Sequence, residues 1–465
     1  MKRTLLRCGW IVSVDDAVGD FTGGDILIDG DRIAAVGRDL AADADEVVDA
    51  RGLLAMPGLV NAHMHSWQTG FRNIGGDWMS ADYFRHVHGT MGSLCGPQDN
   101  YLATLVGALD QINGGVTTLG DWCHNLRNLE MAERAIDGLQ ESGIRAVFFH
   151  GTAKPEALAD SERDAGAYTQ QPHPRARVEA LRKGRLASDD ALVTMALGIL
   201  GPDLSTAEVC LHDFRLAREF GLLSSAHWYR PAAERIEPDI LKRLAAEKLL
   251  GPDHNISHGN FLSDEELDIA VGCGASFTST CLIELRGASP EPLMRRLMQR
   301  GVMPSLGIDV PATAATDMFA EMRIARYTAR REQCLDHKRA GHGLYATPPQ
   351  RPIEALTWAT VGGARVLGLE RQVGSLTPGK KADIILIDAG APALAPMHHP
   401  VNAVVDAVTG AQVDSVIIDG EFRKRGGRLV YPAERLRQRT QALCAASARI
   451  IAASGVAIPG IALQA

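Results

Sequence analysis

Two histidines one residue apart, His63 and His65, close the apolar run GLLAMPGLV. On a strand, side chains at i and i+2 share a face, so the two imidazoles project together while Met64 turns away. Two imidazoles converging in this way can hold a divalent ion. In isolation, a hydrogen-bonded pair of core histidines explains the spacing equally well. Three further groups change the balance: His227 in SSAHWYR, His258 in ISHGN and Asp309 in SLGIDV, each placed where a short apolar run ends. Three neutral imidazoles and one carboxylate suit Zn²⁺, Fe²⁺, Co²⁺ or Mn²⁺. Water in an open position on such an ion is acidified toward neutrality, and the hydroxide attacks an electrophilic carbon. Asp309 can take the water's proton and pass it to the leaving group. His258 can orient the hydroxide or donate to the oxygen that gains charge.

Something must bring these residues to one place. From residue 57 to about 368 short apolar segments alternate with helical ones. Eight strand candidates occur: GLVNAHMH, GVTTLGDW, RAVFFHGT, LVTMALGIL, LLSSAHWY, HNISHGNF, ASFTST and MPSLGIDV. Eight strands alternating with helices predict an α/β fold, a (β/α)8 TIM-like barrel. Active sites of such barrels lie at the C-terminal strand ends, where all five candidate groups stand. Residues 1–56 and 369–430 read instead as short strands with Gly and Asp turns, such as GDILIDGDRIAAVG and VDSVIIDGEFRKRGG. The economical expectation is one small β-sandwich built from both chain ends. Residues 431–465 form a C-terminal helical segment, expected on the surface or at a subunit contact.

The motifs MPGLVNAHMH, GVTTLGD, SHGNFL, SLGIDV and EALTWATVGGARVLGLERQVGSLTPGKKADIILID resemble the amidohydrolase superfamily. The nearest branch is the one with atrazine chlorohydrolase, guanine deaminase and cytosine deaminase. The resemblance spans roughly residues 1–425. It implies His63, His65, His227 and Asp309 as ligands of one divalent metal ion, zinc first, with iron, cobalt or manganese as alternatives. It implies His258 as a substrate-facing residue beside the ion. LVTMALGIL carries no lysine that could bridge a second ion, so one metal is expected. One position departs from the branch. Its deaminases carry a glutamate three residues after the strand-5 histidine, where this chain has Arg230. A guanidinium cannot shuttle that glutamate's proton. Glu234 and Glu284 are the nearby carboxylates that could replace it.

The expected activity is hydrolysis of a non-peptide carbon–nitrogen bond, or a carbon–halogen bond, in a small nitrogen-rich or amide- or urea-like molecule. The alternative is an aminohydrolase of a purine, pterin or triazine with a non-standard proton shuttle. Aromatics are only 5% of the chain but cluster after the first barrel strand. Trp67, Gln68, Phe71, Trp78, Trp122, Trp228 and Arg230 are therefore expected to bind substrate, since pockets for flat molecules are apolar with few polar anchors. His86 and His88 repeat the i, i+2 spacing but in a loop or helix, and are read as structural or pocket-lining.

Composition sets the remaining bounds. The chain has 465 residues, 46% hydrophobic and 22% charged, an ordinary globular balance. Forty-eight basic against 56 acidic residues give a net charge of −8, which argues against a nucleic-acid partner. The eight cysteines form no C-x-x-C pair and read as reduced thiols. The opening MKRTLLRCGWIVSVDD has no long apolar core, and no run of 18 apolar residues follows, so neither signal peptide nor membrane span is expected. A cytoplasmic homo-oligomer, dimer or tetramer, acting on a small molecule completes the expectation.

Overall fold

The computed structural model describes residues 2–458 except 42, 153–170, 236, 288 and 344. The end of the expected C-terminal segment, 459–465, lies outside the described residues.

The first four strands are β1 (Arg3–Ile11), β2 (Phe21–Asp29), β3 (Arg32–Gly37) and β4 (Glu46–Pro57). Eight more follow: β5 (Leu59–Met64), β6 (Val116–Cys123), β7 (Arg145–His150), β8 (Val193–Gly198), β9 (Ser224–Trp228), β10 (His254–His258), β11 (Ser276–Ser279) and β12 (Ser305–Leu306). The last are β13 (Ile384–Asp388), β14 (Val413–Ile418), β15 (Glu421–Arg425) and β16 (Arg428–Leu429).

Strands β5 to β12 pair in parallel, each with its neighbour in sequence, giving the expected barrel. Nearly every residue of β5 to β10 is buried, as parallel strands covered on both faces require. The barrel closes between β5 and the end of β12. Met64 and Asp309 form a parallel bridge, His65 N–H donates to the Asp309 carbonyl at 2.9 Å, and Asp309 N–H donates to the His63 carbonyl at 2.9 Å. Gly307 makes this closure possible: a Cβ there would stand 2.7 Å from both Cβ and the carbonyl oxygen of His63. Helix caps follow the sequence signals. Asn128 accepts from Met131 N–H at the start of the helix Leu129–Ser142, and Ser263 with Glu266 forms a capping box on Asp264–Gly272.

The chain ends share one mixed eight-stranded sheet, ordered β16-β15-β14-β13-β4-β1-β2-β3. This is the small β domain expected from both chain ends; its hydrogen bonding is continuous and the sheet curls on itself. Arg32 of β3 bridges Lys381, just before β13, and Ile33 N–H donates to the Lys380 carbonyl at 2.9 Å. The curl encloses an apolar core that includes Leu6, Ile26, Ile33, Ile384 and Ile417. Strand β4 runs into β5 through Gly58 alone, so this sheet leads directly into the strand carrying His63 and His65. Gly58 has no room for a side chain: a Cβ would meet Thr117 Cγ2 at 2.1 Å.

At the opposite end of the barrel from those histidines, Arg145 of β7 binds the curled sheet. Its Nε donates to Asp383 Oδ2 at 2.8 Å and its Nη2 to Asp419 Oδ1 at 2.7 Å, with Arg145 and Asp383 both buried. Removing Asp383 leaves the buried guanidinium with the part-exposed Asp419 as its one remaining carboxylate. Asp383→Ala is expected to cost about 3–5 kcal/mol, read as a lowered denaturant midpoint in urea unfolding. An unchanged midpoint would show the clamp to be energetically neutral.

The C-terminal helix Ala433–Ser454 lies on the helix Pro97–Asn113, with Leu443 and Ile450 buried. No helix among the described residues is long and apolar enough to cross a membrane.

Candidate active site

All five expected groups come together at the C-terminal mouth of the barrel. The ligand atoms of His63, His227, His258 and Asp309 lie within 4.8 Å of one another, and all four residues are buried. His65 joins them: its Nε2 stands 3.0 Å from Asp309 Oδ1 and 3.2 Å from His227 Nε2. The imidazoles of His63 and His65 share a face as their spacing predicts, with ring centroids 4.8 Å apart.

The surroundings fix how each ring points. His65 Nδ1 is 2.6 Å from the Trp122 carbonyl, which can only accept, so Nδ1 carries the proton and Nε2 is free to ligate. His63 Nδ1 faces Ser257 Oγ at 3.2 Å. His63 Nε2 is buried with no hydrogen-bond partner among the described residues. Asn61 ties the two closing strands together, its Oδ1 accepting from His63 N–H at 3.3 Å and from Ile308 N–H at 3.1 Å. His258 and Asp309 hold positive φ, 68° and 66°, a backbone conformation that concentrates at functional sites.

Electrostatics put His63 and Asp309 in ligating form. Burial pushes the His63 imidazole down to about 4, so it is neutral. Burial pulls the Asp309 carboxyl up, but the His63 and His65 imidazoles beside it outweigh that and hold it well below the usual carboxylate range. Neutral imidazoles, a carboxylate and an orphaned buried nitrogen fit a divalent cation. Among the described residues the cluster offers one carboxylate, not the six or more oxygens calcium needs.

His258 is held from behind. Its Nδ1 is 3.3 Å from Glu284 Oε1 and 3.1 Å from Thr280 Oγ1, and its Nε2 is 3.7 Å from Asp309 Oδ2. Glu284 is itself fixed by Thr280 N–H at 2.8 Å and Asn260 Nδ2 at 3.2 Å.

The cluster forms the floor of a cavity of about 730 Å³. Trp78, Phe84, Tyr229 and Phe261 supply flat rings to its wall; Arg230, Glu234 and Asn260 supply polar groups. Of the seven residues expected to meet substrate, Trp78 and Arg230 line this cavity. Trp67, Gln68, Phe71, Trp122 and Trp228 do not, and all five are buried. They pack behind the wall because each has a job there. Trp67 Nε1 donates to His124 Nδ1 at 2.9 Å, and the His124 ring stacks on His65 at 4.2 Å. Gln68 Nε2 donates to Tyr83 Oη at 2.7 Å, and Phe71 packs edge-on against Trp67. Trp122 backs His227, and Trp228 lies against the buried Arg235 guanidinium. His88 Nε2 is 3.0 Å from Tyr83 Oη, and His86 lies against Trp78; neither lines the cavity.

Asp203, buried in the loop after β8, escaped the sequence reading. It accepts from Tyr229 N–H at 2.5 Å, from Arg230 N–H at 2.8 Å and from Arg235 Nε at 3.0 Å. It thereby fixes the turn that leaves His227. Its place just past a barrel strand was the available signal.

A closed parallel barrel with this donor set at its C-terminal mouth defines a metal-dependent hydrolase. The chain belongs to the amidohydrolase family, whose sequence profile matches residues 54–423. It is 30% identical over 424 residues to a 5'-deoxyadenosine deaminase of Methanothermobacter thermautotrophicus, covering 88% of this chain and 91% of that protein. An adenosine deaminase from Xanthomonas campestris, solved with bound zinc, superposes with a TM-score of 0.78 at 22% identity, covering 97% of this chain and 98% of that one. Atrazine chlorohydrolase from Arthrobacter aurescens, complexed with zinc, gives 0.76 at 21% identity, covering 95% and 100%.

Proposed function

We propose that the protein is an aminohydrolase that releases ammonia from a flat heteroaromatic amine of the purine, pterin or triazine type. The observation that carries this reading is the His/Asp cluster flooring a cavity walled by Trp78, Phe84, Tyr229 and Phe261. The name of its methanogen relative, a 5'-deoxyadenosine deaminase, points the same way. His63, His65, His227 and Asp309 would hold one ion, which we take to be zinc because structural relatives bind it. The bound ion would supply Lewis acidity and lower the pKa of a water. Asp309 Oδ2 would take a proton from the attacking water and return it to the leaving amine. His258, held at Nδ1 by Glu284 Oε1 at 3.3 Å, turns Nε2 toward Asp309, from where it can donate to a developing oxyanion. The aromatic wall orients the ring and excludes water. Free cysteines fit a cytoplasmic setting, and the outer face of the helix Ala433–Ser454 is our candidate for a contact between copies.

A second reading rests on Arg230. No carboxylate occupies that position to protonate a ring nitrogen, which favours a leaving group that departs without a proton, such as halide. A panel of aminopurines, pterins and aminotriazines beside chlorotriazines tests both, with ammonia and chloride measured separately. We expect metal-dependent ammonia release from at least one amine. Chloride release alone would replace the first reading with the second.

A further inference from the structure

The cavity wall carries a cation with unfilled hydrogen-bonding capacity. Arg230 is half-buried and lines the cavity. Among the described residues its guanidinium meets the Tyr229 ring, 5.7 Å from the centroid, and makes no salt bridge; Asp203 acts on it at Coulombic range only. The acids sharing the cavity are committed elsewhere or stand apart. Asp203 is taken by two backbone amides and Arg235, Glu284 by His258, Thr280 and Asn260, and Asp309 by the histidines. Glu234 is exposed and makes no ion pair with Arg230. The other lining guanidinium, Arg286, spends its fork on the carbonyls of Thr313, Gly75 and Gly76.

Arg230 is also held in place. Asp203 grips its N–H at 2.8 Å, and Arg235 Nη2 donates to its carbonyl at 2.8 Å. Arg235 is in turn buried between Asp203 and Glu266. The main chain at Arg230 is thus pinned on both sides while its head is left to the cavity. A planar guanidinium carried on a fixed main chain matches the two oxygens of an oxyacid group. A site so built has less ordering entropy to lose on binding.

We propose that Arg230 is the specificity-determining residue of this cavity, and that it selects substrates carrying an oxyanion group, carboxylate or phosphate, beside the ring. This rests on the aminohydrolase reading for the ring itself, not for the charge.

The test is calorimetric titration of the zinc-loaded protein with matched pairs: pterin against pterin-6-carboxylate, and adenosine against adenosine 5'-monophosphate. At least one acidic member is expected to bind about 10- to 100-fold more tightly than its neutral partner, the range of one charge-assisted contact. The pterin and nucleotide pairs separate carboxylate from phosphate. In Arg230→Ala that preference is expected to collapse, and Arg230→Lys, a point charge without the fork, to keep part of it. Zinc content and the thermal midpoint of each variant check that it folds. Equal affinity within both pairs, preference that survives Arg230→Ala, or no binding of any member would overturn the assignment. Ammonia release, followed in parallel, separates the two ideas. Charge-selective binding with no ammonia sinks the aminohydrolase reading alone, and ammonia release without charge selectivity sinks Arg230 alone.

Discussion

Alanine at His63, His65, His227 or Asp309 is expected to yield protein that no longer retains its metal through purification. Each change removes one donor from a site with few to spare. The loss should far exceed the roughly 10–100-fold cost of deleting a residue that merely orients a ligand. Elemental analysis of the four purified variants is the measurement. The most informative is His65→Ala, because the four donors whose ligand atoms all lie within 4.8 Å of one another are His63, His227, His258 and Asp309. His65 competes with His258 for a place in the set. Its free Nε2, directed by the Trp122 carbonyl and 3.0 Å from Asp309 Oδ1, argues for ligation. Stoichiometric metal in His65→Ala would strike it from the ligands.

His258→Ala should behave in the opposite way, keeping the metal and losing turnover by on the order of 10²–10³, as when one donor to a developing oxyanion is deleted. The geometry behind this is the approach of Nε2 to Asp309 Oδ2 at 3.7 Å while Nδ1 is occupied by Glu284 and Thr280. Because the group acts on charge that develops late, kcat should fall far more than KM rises. If the variant instead emerges without metal, His258 is a ligand, and the proton traffic must be reassigned to Asp309 alone.

How much of this was legible beforehand depended on locality. His63, His65, His227, His258 and Asp309 could be read because each ends a continuous apolar run, and barrel geometry sends all such ends to one mouth. The aromatic wall could not be read in the same way. A loop rich in Trp and Phe says that rings will bury, not at what depth; the Trp67 indole turned inward to His124, whereas Trp78 stayed at the cavity. The Glu284–His258 contact joins the end of β10 to the short helix Cys281–Glu284 after β11 and leaves no local mark. The small β domain built from both chain ends was legible, but its register was not. Short strands with Gly turns were visible at both chain ends, but the bridge from Arg32 to Lys381 that curls one sheet is a matter of register.

That curled sheet also sets an order of events during synthesis. Strand β4 leaves the ribosome early, yet its partner β13 is made only after the entire barrel. Until then the inner stretch Leu54–Pro57 is an apolar edge with one side unpaired, a stage at which nascent chains rely on chaperones. Gly58 N–H, at the root of the histidine strand, donates to the Asp383 carbonyl at 3.0 Å. The seat of His63 and His65 is therefore finished only when the C-terminal strands arrive. A chain truncated before β13 is therefore expected to retain no metal through purification, although it carries every candidate ligand.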